Sequence, residues 1–243
     1  MQHWGKMKAI AIIVAAGKGL RMQNAVSKQY LKLGGRPIIA HTLSAFEACR
    51  MVEHIYLVIP KQDLEFCRQE ILPSIEMQSA VTLVAGGAER QASVYNGLLA
   101  VSPKTGMVAI HDGVRPLVTP EMITACIEGA RETGACILGI PASDTLKQAN
   151  AEGIIETTLP RHDIWLAQTP QVFSYDLILK AHETALQAGI SGTDDAALME
   201  RIGHPVRIIR GSSSNIKITT PEDLRRAEAI QAISMRTAWR PIP

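Results

Sequence analysis

At 243 residues, 47% hydrophobic and 20% charged, the chain has the composition of a globular protein able to bury a core in one large domain or two small ones. A formal net charge of +2 argues against nucleic acid and against an anionic membrane surface as partners, so any basic site has to be local. No apolar run approaches the roughly 18 residues of a membrane span, and Met1 to Lys8 lack the apolar stretch of a signal peptide.

The first element is an apolar, β-branched strand, Ile10 to Val14. It breaks into Ala15-Ala16-Gly17-Lys18-Gly19-Leu20-Arg21-Met22, with Lys28 just beyond. Ala15, Ala16, Gly17 and Gly19 leave the backbone bare enough for a ligand to approach its amide N–H groups. A helix starting soon after would add the positive field of its N-terminus. Lys18, Arg21 and Lys28 bring positive charge to the same short stretch, and bare amides with clustered cations describe a polyphosphate site. The spacing does not satisfy the Walker A pattern. The dinucleotide fingerprint fails too: Met22 stands where its third glycine should be, and the next strand, Ile55 to Ile59, ends in Pro60 rather than a carboxylate. A plain strand-to-helix turn with solvated basic residues remains the alternative on these letters alone.

Gly34-Gly35-Arg36-Pro37 predicts a turn feeding a helix with proline in its first turn. Ile38, Ile39, Thr42, Leu43 and Phe46 give that helix one buried face, and His41 on it reads as a packed or surface histidine. Strand Ile55 to Ile59, a helix from about Gln62 to Leu72 and strand Val81 to Val84 repeat the pattern. Unbroken apolar strands alternating with helices mean a doubly wound, mostly parallel α/β sheet. Ligands in such sheets sit beyond the carboxyl ends of the strands.

At the second such end, Gly86-Gly87-Ala88-Glu89-Arg90-Gln91-Ala92-Ser93 precedes a helix bearing Val94, Leu98 and Val101. Gly87 and Ser93 could read a base edge there, or form no more than a capped glycine turn. At the third, Val108 to Ile110 runs into His111-Asp112-Gly113-Val114-Arg115-Pro116. Beside a polyphosphate, Asp112 is a natural ligand for Mg²⁺, and Arg115 offers a planar fork to a second anionic group. The blander alternative is a turn-forming aspartate paired with its own arginine, with His111 as packing at the sheet rim.

Ile123, Cys126, Ile127 and Ala130 mark the next helix, and Cys136 to Ile140 another buried strand. Asp144 to Gln148 and Ile154 to Thr158 read as two partly polar strands joined by a turn over Ala149 to Gly153. An exposed two-stranded arm is only marginally stable alone, so it is expected to project and to pack on a second copy of the chain. Arg161 and Gln168-Thr169-Pro170-Gln171 lead back towards the sheet, followed by a helix over about Tyr175 to Gln187. Thr193 is a plausible cap for the next helix, and Asp194 and Asp195 could be catalytic carboxylates, although acids in a first helical turn need no further role. After strand Val206 to Ile209, Thr220-Pro221-Glu222-Asp223 opens the last helix as a capping box. Lys217, in a short extended piece just before it, is placed to reach across the strand ends. Residues 1–235 are expected to form one domain, with the arm at about 141–164 and a tail over 236–243. Cys49, Cys67, Cys126 and Cys136 show no C-x-x-C spacing and sit among apolar neighbours, which favours reduced, buried thiols in a cytoplasmic protein over a disulfide or zinc site.

No Gly-x-Ser-x-Gly elbow, His-Glu-x-x-His pair or EF-hand loop occurs. What remains fits attack of one phosphate on the α-phosphorus of a nucleoside triphosphate, with expulsion of pyrophosphate. That step needs positioning and charge neutralisation more than covalent chemistry.

Ala15-Ala16-Gly17-x-Gly19-x-Arg21-Met22, Lys28-Gln29-Tyr30, Gly86-Gly87-x-x-Arg90-x-x-Ser93-Val94, His111-Asp112-x-x-Arg115-Pro116, Thr169-Pro170-Gln171 and Asn215-Ile216-Lys217 run in order along nearly the whole chain. Together they resemble the 2-C-methyl-D-erythritol 4-phosphate cytidylyltransferase family. The resemblance implies a Rossmann-like nucleotidyltransferase fold with a projecting β-hairpin arm. It also implies formation of CDP-methylerythritol and pyrophosphate from CTP and the polyol phosphate, in the non-mevalonate isoprenoid route. Carried over, Ala15, Ala16, Gly17 and Gly19 would hold the triphosphate. Arg21 and Lys28 would neutralise the pentacovalent transition state, helped by Lys217. Gly87 and Ser93 would read cytosine, and Asp112 would hold Mg²⁺. Arg115 and Lys217 look like contacts to the incoming polyol phosphate, and Thr169 matches a position lining that site. In the family the arm swaps across a homodimer, so Thr145 and Arg161 would act on the partner's substrate.

Ser27, Ala92 and Ser214 depart from residues common in the family, and none of them removes a named catalytic group. A sister cytidylyltransferase acting on ribitol 5-phosphate shares the loop and most of the cations. A nucleotide-binding regulator without turnover is the alternative of a different class, and the intact Lys28, Asp112 and Lys217 speak against it. A dinucleotide-dependent oxidoreductase is disfavoured by Met22 and the missing ribose carboxylate.

Overall fold

The structure is a computed structural model and describes residues 8–17, 27–75, 77, 80–102 and 106–238. Gly19 and Arg21, both expected in the phosphate loop, lie outside the described residues. Nine strands of interest follow one another as β1 (Ala9–Val14), β2 (Val52–Ile59), β3 (Val81–Ala85), β4 (Met107–Asp112), β5 (Ala135–Pro141), β6 (Leu146–Ala149), β7 (Ile155–Leu159), β8 (Trp165–Ser174) and β9 (Arg207–Arg210). The main helices are α1 (Ile38–Glu47), α2 (Arg90–Ala100), α3 (Pro120–Thr133), α4 (Tyr175–Gln187), α5 (Asp195–Arg201) and α6 (Pro221–Ala238).

Seven strands form one sheet in the order β9-β5-β8-β4-β1-β2-β3. β1 pairs in parallel with both β2 and β4, β2 with β3, and β9 with β5. β8 alone runs antiparallel, between β4 and β5. The apolar runs are buried on both faces because helices cover both. On one side Ile39, Leu43 and Phe46 of α1 share a buried cluster with alternate residues of β1 and β2, and Ile123, Cys126 and Ile127 of α3 continue it over Cys136 and Leu138 of β5 and Val172 of β8. On the other, Val94 and Leu98 of α2 cover Ile10, Ile12 and Val58, and Ile178 of α4 and Leu198 of α5 extend the same cluster with Phe173 of β8. That is the doubly wound, mostly parallel sheet of the sequence reading.

Several elements differ in detail. Gly34 and Gly35, at φ 56° and 85°, turn a two-residue ribbon (Lys32–Leu33 against Arg36–Pro37), and Pro37 ends it as the residue capping α1 rather than inside the first turn. Residues 61–74 are helical but pass through 3-10, α and π turns instead of forming one regular helix. Asp194, not Thr193, caps α5, its carboxylate accepting from Ala197 N at 2.9 Å. α6 begins with the expected box: Asp223 Oδ2 accepts from the N–H groups of Thr219 and Thr220, and Thr220 Oγ1 accepts from Asp223 N. It continues to Ala238, past the expected boundary at residue 235, since no proline interrupts it before Pro241.

The largest difference is β8. Ten residues, Trp165–Ser174, run as a sheet strand although Pro170 lies within them. The register against β5 shifts between Ala167 and Gln171, so the proline sits where no ladder bond is needed. β6 and β7 form a separate antiparallel ribbon, β7 exposed along its length, with Ile154 just before it and Ile155 at its start 64% and 59% exposed. Among the described residues no helix is long and apolar enough to cross a membrane. All four cysteines are free and buried.

Candidate active site

Three parallel strands, β1, β3 and β4, deliver their carboxyl ends to one rim. Beyond β1, Ala15 N donates to Val58 O at 2.8 Å, which ties the start of the phosphate loop to the neighbouring strand. Gly86 N likewise donates to Ile59 O at 2.8 Å. The two loops then touch. A Cβ on Gly86 would collide with the Ala16 side chain, and one on Gly87 would come 2.5 Å from Ala92 Cβ, so both positions need glycine for close approach. Ser93 is 2% exposed; its Oγ accepts from Gly87 N at 3.1 Å and donates to Glu89 O at 3.0 Å, which fixes the second loop. Lys28 reaches in from the far side, its Nζ 4.0 Å from where a Cβ of Gly17 would lie.

Lys28, Gly87 and Ser93 line a cavity of about 210 Å³ with Val14, Ala15, Ala16, Gly17, Asp112 and Lys217. A second cavity, of about 260 Å³, is lined by Arg115, Gln168, Thr169, Thr193 and Asp194. Arg90, Asp112 and Lys217 belong to both, so they form the wall between them.

Asp112 is the hub of that wall. Arg90 Nε meets its Oδ1 at 3.0 Å, Lys217 Nζ meets Oδ2 at 2.8 Å, and Arg115 Nε lies 3.8 Å from Oδ2. Burial alone would push its carboxyl up; Arg90, Lys217 and Arg115 outweigh that and hold it well below the usual carboxylate range. Lys217 is brought there by the backbone. Arg115 Nη1 donates to Asn215 O at 2.6 Å and Ile218 N to Val114 O at 2.8 Å, and these pin the 215–218 segment to the end of β4.

His111 and Thr169 support Asp112 from below. His111 Nε2 lies 3.2 Å from the Arg115 carbonyl, which can only accept, so Nε2 carries the proton and Nδ1 is the acceptor. Thr169 Oγ1 lies 3.0 Å from that Nδ1 and accepts from Asp112 N at 3.1 Å, so its own proton points to His111. Burial pushes the His111 ring down to about 3, and it stays neutral. With both ring nitrogens engaged, it has no lone pair for a substrate proton.

The structure therefore gathers Ala15, Ala16, Gly17, Lys28, Gly87, Ser93, Asp112 and Lys217 around one cavity, and Arg115 and Thr169 around its neighbour. It places Thr145 and Arg161 apart from both, exposed beside the β6–β7 arm, where Arg161 Nη1 donates to Ser143 O. Arg90 is the residue the sequence reading left without a role. It had a signal: a cation in the first turn of α2 faces the positive end of the helix, an unfavourable place unless something else holds it.

A doubly wound sheet whose strand ends carry a bare-amide loop, a glycine loop and a cation-ringed carboxylate defines a nucleotidyltransferase-class site. The family model for 2-C-methyl-D-erythritol 4-phosphate cytidylyltransferase matches residues 9–232, and the chain belongs to that family. A relative from Pelotomaculum thermopropionicum bearing the same name is 46% identical over 223 residues, 92% of this chain and 94% of that one. A crystal structure of 4-diphosphocytidyl-2C-methyl-D-erythritol synthase from Anaerococcus prevotii superposes with a TM-score of 0.83 at 34% identity, covering 93% of this chain and 97% of that one. The Thermus thermophilus cytidylyltransferase gives a TM-score of 0.74 at 33% identity, covering 92% and 98%.

Proposed function

We propose that this chain joins CTP to 2-C-methyl-D-erythritol 4-phosphate, releasing pyrophosphate and giving CDP-methylerythritol for isoprenoid precursor synthesis. Membership in the family carries the reaction. The single structural observation behind the residue roles is the shared wall, where Arg90, Asp112 and Lys217 stand between the two cavities. The triphosphate lies against Ala15, Ala16 and Gly17 with cytosine towards Gly87 and Ser93, and the polyol phosphate lies against Arg115 and Thr169. Attack on the α-phosphorus then takes place at the wall, where Lys217, and Lys28 from the first cavity, meet the charge that gathers as pyrophosphate leaves; Arg21, outside the described residues, takes the same role by the family resemblance. The attacking phosphate is already ionised near neutral pH, so no general base is needed, in keeping with a His111 that has none to offer.

Magnesium fits this site only in company. Among the described residues no group of three His, Cys, Asp or Glu could hold a metal. Asp112 offers one buried carboxylate, each oxygen meeting one close cation and keeping a lone pair. A hard cation that takes one carboxylate and draws its remaining ligands from phosphate oxygens and water is Mg²⁺. Held by Asp112, it would neutralise phosphate charge.

The working unit is a homodimer in the cytoplasm. Ile154, Ile155 and Leu166 expose apolar surface at 64%, 59% and 50% on and beside the arm, which suits a second copy better than water. Thr145 and Arg161, remote from their own cavities, then serve the partner's. Four buried free thiols suit a reducing compartment.

The reaction is tested by pyrophosphate release with CTP, UTP, ATP and GTP against methylerythritol phosphate and ribitol 5-phosphate. Release with CTP and methylerythritol phosphate is expected to exceed every other pair. Release with ribitol phosphate instead would move the chain to the sister activity, and none with any pair would leave a nucleotide-binding regulator.

A further inference from the structure

Behind the shared wall lies a buried, hydrogen-bonded pair of side chains that lines neither substrate cavity. Asp195, in the first turn of α5, and His182, on α4, are each 1% exposed. His182 Nε2 lies 3.1 Å from Asp195 Oδ1, and since an ionised carboxylate only accepts, Nε2 donates. The other oxygen, Oδ2, lies 2.8 Å from Arg90 Nη1, off the line of a hydrogen bond and held by charge. The backbone of Asp195 is tied as well: Gln171 Oε1 accepts from the N–H groups of Asp195 and Ala196 at 3.2 and 3.1 Å. Asp195 is thus fixed independently of Arg90. Burial would push its carboxyl up, but Arg90 and His182 outweigh this and keep it ionised.

Asp112 already has Lys217 and Arg115 beside it, so Arg90 is the cation of the wall with a second anion of its own. A planar guanidinium facing a carboxylate tends to close on it with two parallel bonds. Asp195 draws Nη1 the other way, so Asp112 Oδ1 meets Arg90 through Nε alone. When a triphosphate enters, its oxygens compete for the same fork, and an immovable buried anion keeps the fork from following them. We infer that Asp195 and His182 are positioning residues for the reaction. His182 locks Asp195, Asp195 locks Arg90, and Arg90 holds Asp112 in place between the two cavities. This rests on the reaction assigned above.

Three variants test it. His182→Phe keeps a ring beside Tyr95, which His182 faces at 6.3 Å between centroids and 14° between planes, and removes the donor. His182→Gln returns a donor, and Asp195→Asn removes the charge at constant shape, which covers the case that the Phe variant fails to fold. The Phe and Asn variants should lose about 10- to 100-fold in kcat with the KM for CTP changed by less than about 3-fold, because misplacement of about 1 Å at a reacting centre can cost that much. The Gln variant should recover most of the rate. Without substrate, the nitrogen-15 resonance of the Arg90 Nε–H group should be sharp and slow to exchange in the native protein and the Gln variant, and broadened or lost in the other two. Full kcat in the Phe and Asn variants would overturn the inference, as would equal losses in Phe and Gln with the Arg90 resonance unchanged. If the native protein turns over no polyol phosphate, the assigned reaction fails, while the substrate-free resonance still decides whether the anchor exists.

Discussion

The rim of the sheet and the β6–β7 arm both carry residues assigned to the reaction, yet one chain builds only the first. At the rim, Ser93, Asp112 and Thr169 are 2%, 6% and 4% exposed; Ser93 is held by the glycine loop, and Asp112 and Thr169 hold each other across neighbouring strands. On the arm, β7 is exposed along its whole length, and Arg161 donates to the Ser143 carbonyl at the arm's own root. Burial and strand register fix the first set in a single chain. Under the proposed dimer the second set would serve another chain's cavity, so the two regions should answer differently to the same kinds of change.

The largest effect belongs to the rim. Lys217→Ala should lower kcat by about 10³-fold, the cost of losing a preorganised charge at a developing anion, with pyrophosphate release as the readout. A loss below about 10-fold would detach Lys217 from the transition state. Arg161→Ala should also be inactive alone, but its partner in failure differs. Mixed with Lys28→Ala chains and allowed to exchange, it should regain about a quarter of native activity, since half the dimers then hold one intact site. No recovery would return the arm to a role within its own chain.

Acid should act on the rim next. A free histidine titrates near 6.5, whereas burial holds His111 at about 3. Between these values the unfolded chain binds a proton that the folded chain refuses, so stability is lost as pH falls below 6.5 and the loss levels off below about 3. From pH 7.5 to 5 this residue should cost the native protein about 2 kcal/mol. Urea midpoints for His111→Asn should fall less steeply with pH over that window.

The smallest contrast is between two glycines. Gly86→Ala should weaken CTP binding by about 10-fold in calorimetry, because its methyl group would push the glycine loop off Ala16 and alter the phosphate loop. Gly153, at φ 80° in the arm's turn with open space around it, should cost only about 1 kcal/mol of local strain as Ala and leave CTP binding alone.

Much of the rim was legible in the sequence because strand ends announce themselves: an apolar run stops, and the residues after it are on the rim. That places Ala15, Gly87 and Asp112 without knowledge of any contact. What the sequence could not place was set by pairing between distant segments. β8 hides a sheet strand behind Pro170, tolerated only because the register against β5 shifts there. Asp195 looks like any acid of a first helical turn until Arg90 and His182 close on it from two other helices. Arg115 and Lys217 were each visible, but that both face the same carboxylate follows from backbone bonds joining Val114 to Ile218.

The central claim is that the charge gathered at these strand ends acts on the transition state more than on bound nucleotide. Lys28→Ala separates the two, with kcat from pyrophosphate release and the CTP dissociation constant from calorimetry on the same preparation. The claim predicts a kcat lower by at least about 10²-fold with CTP affinity within about 10-fold of native. Equal losses in both, or lost affinity with kcat retained, would contradict it.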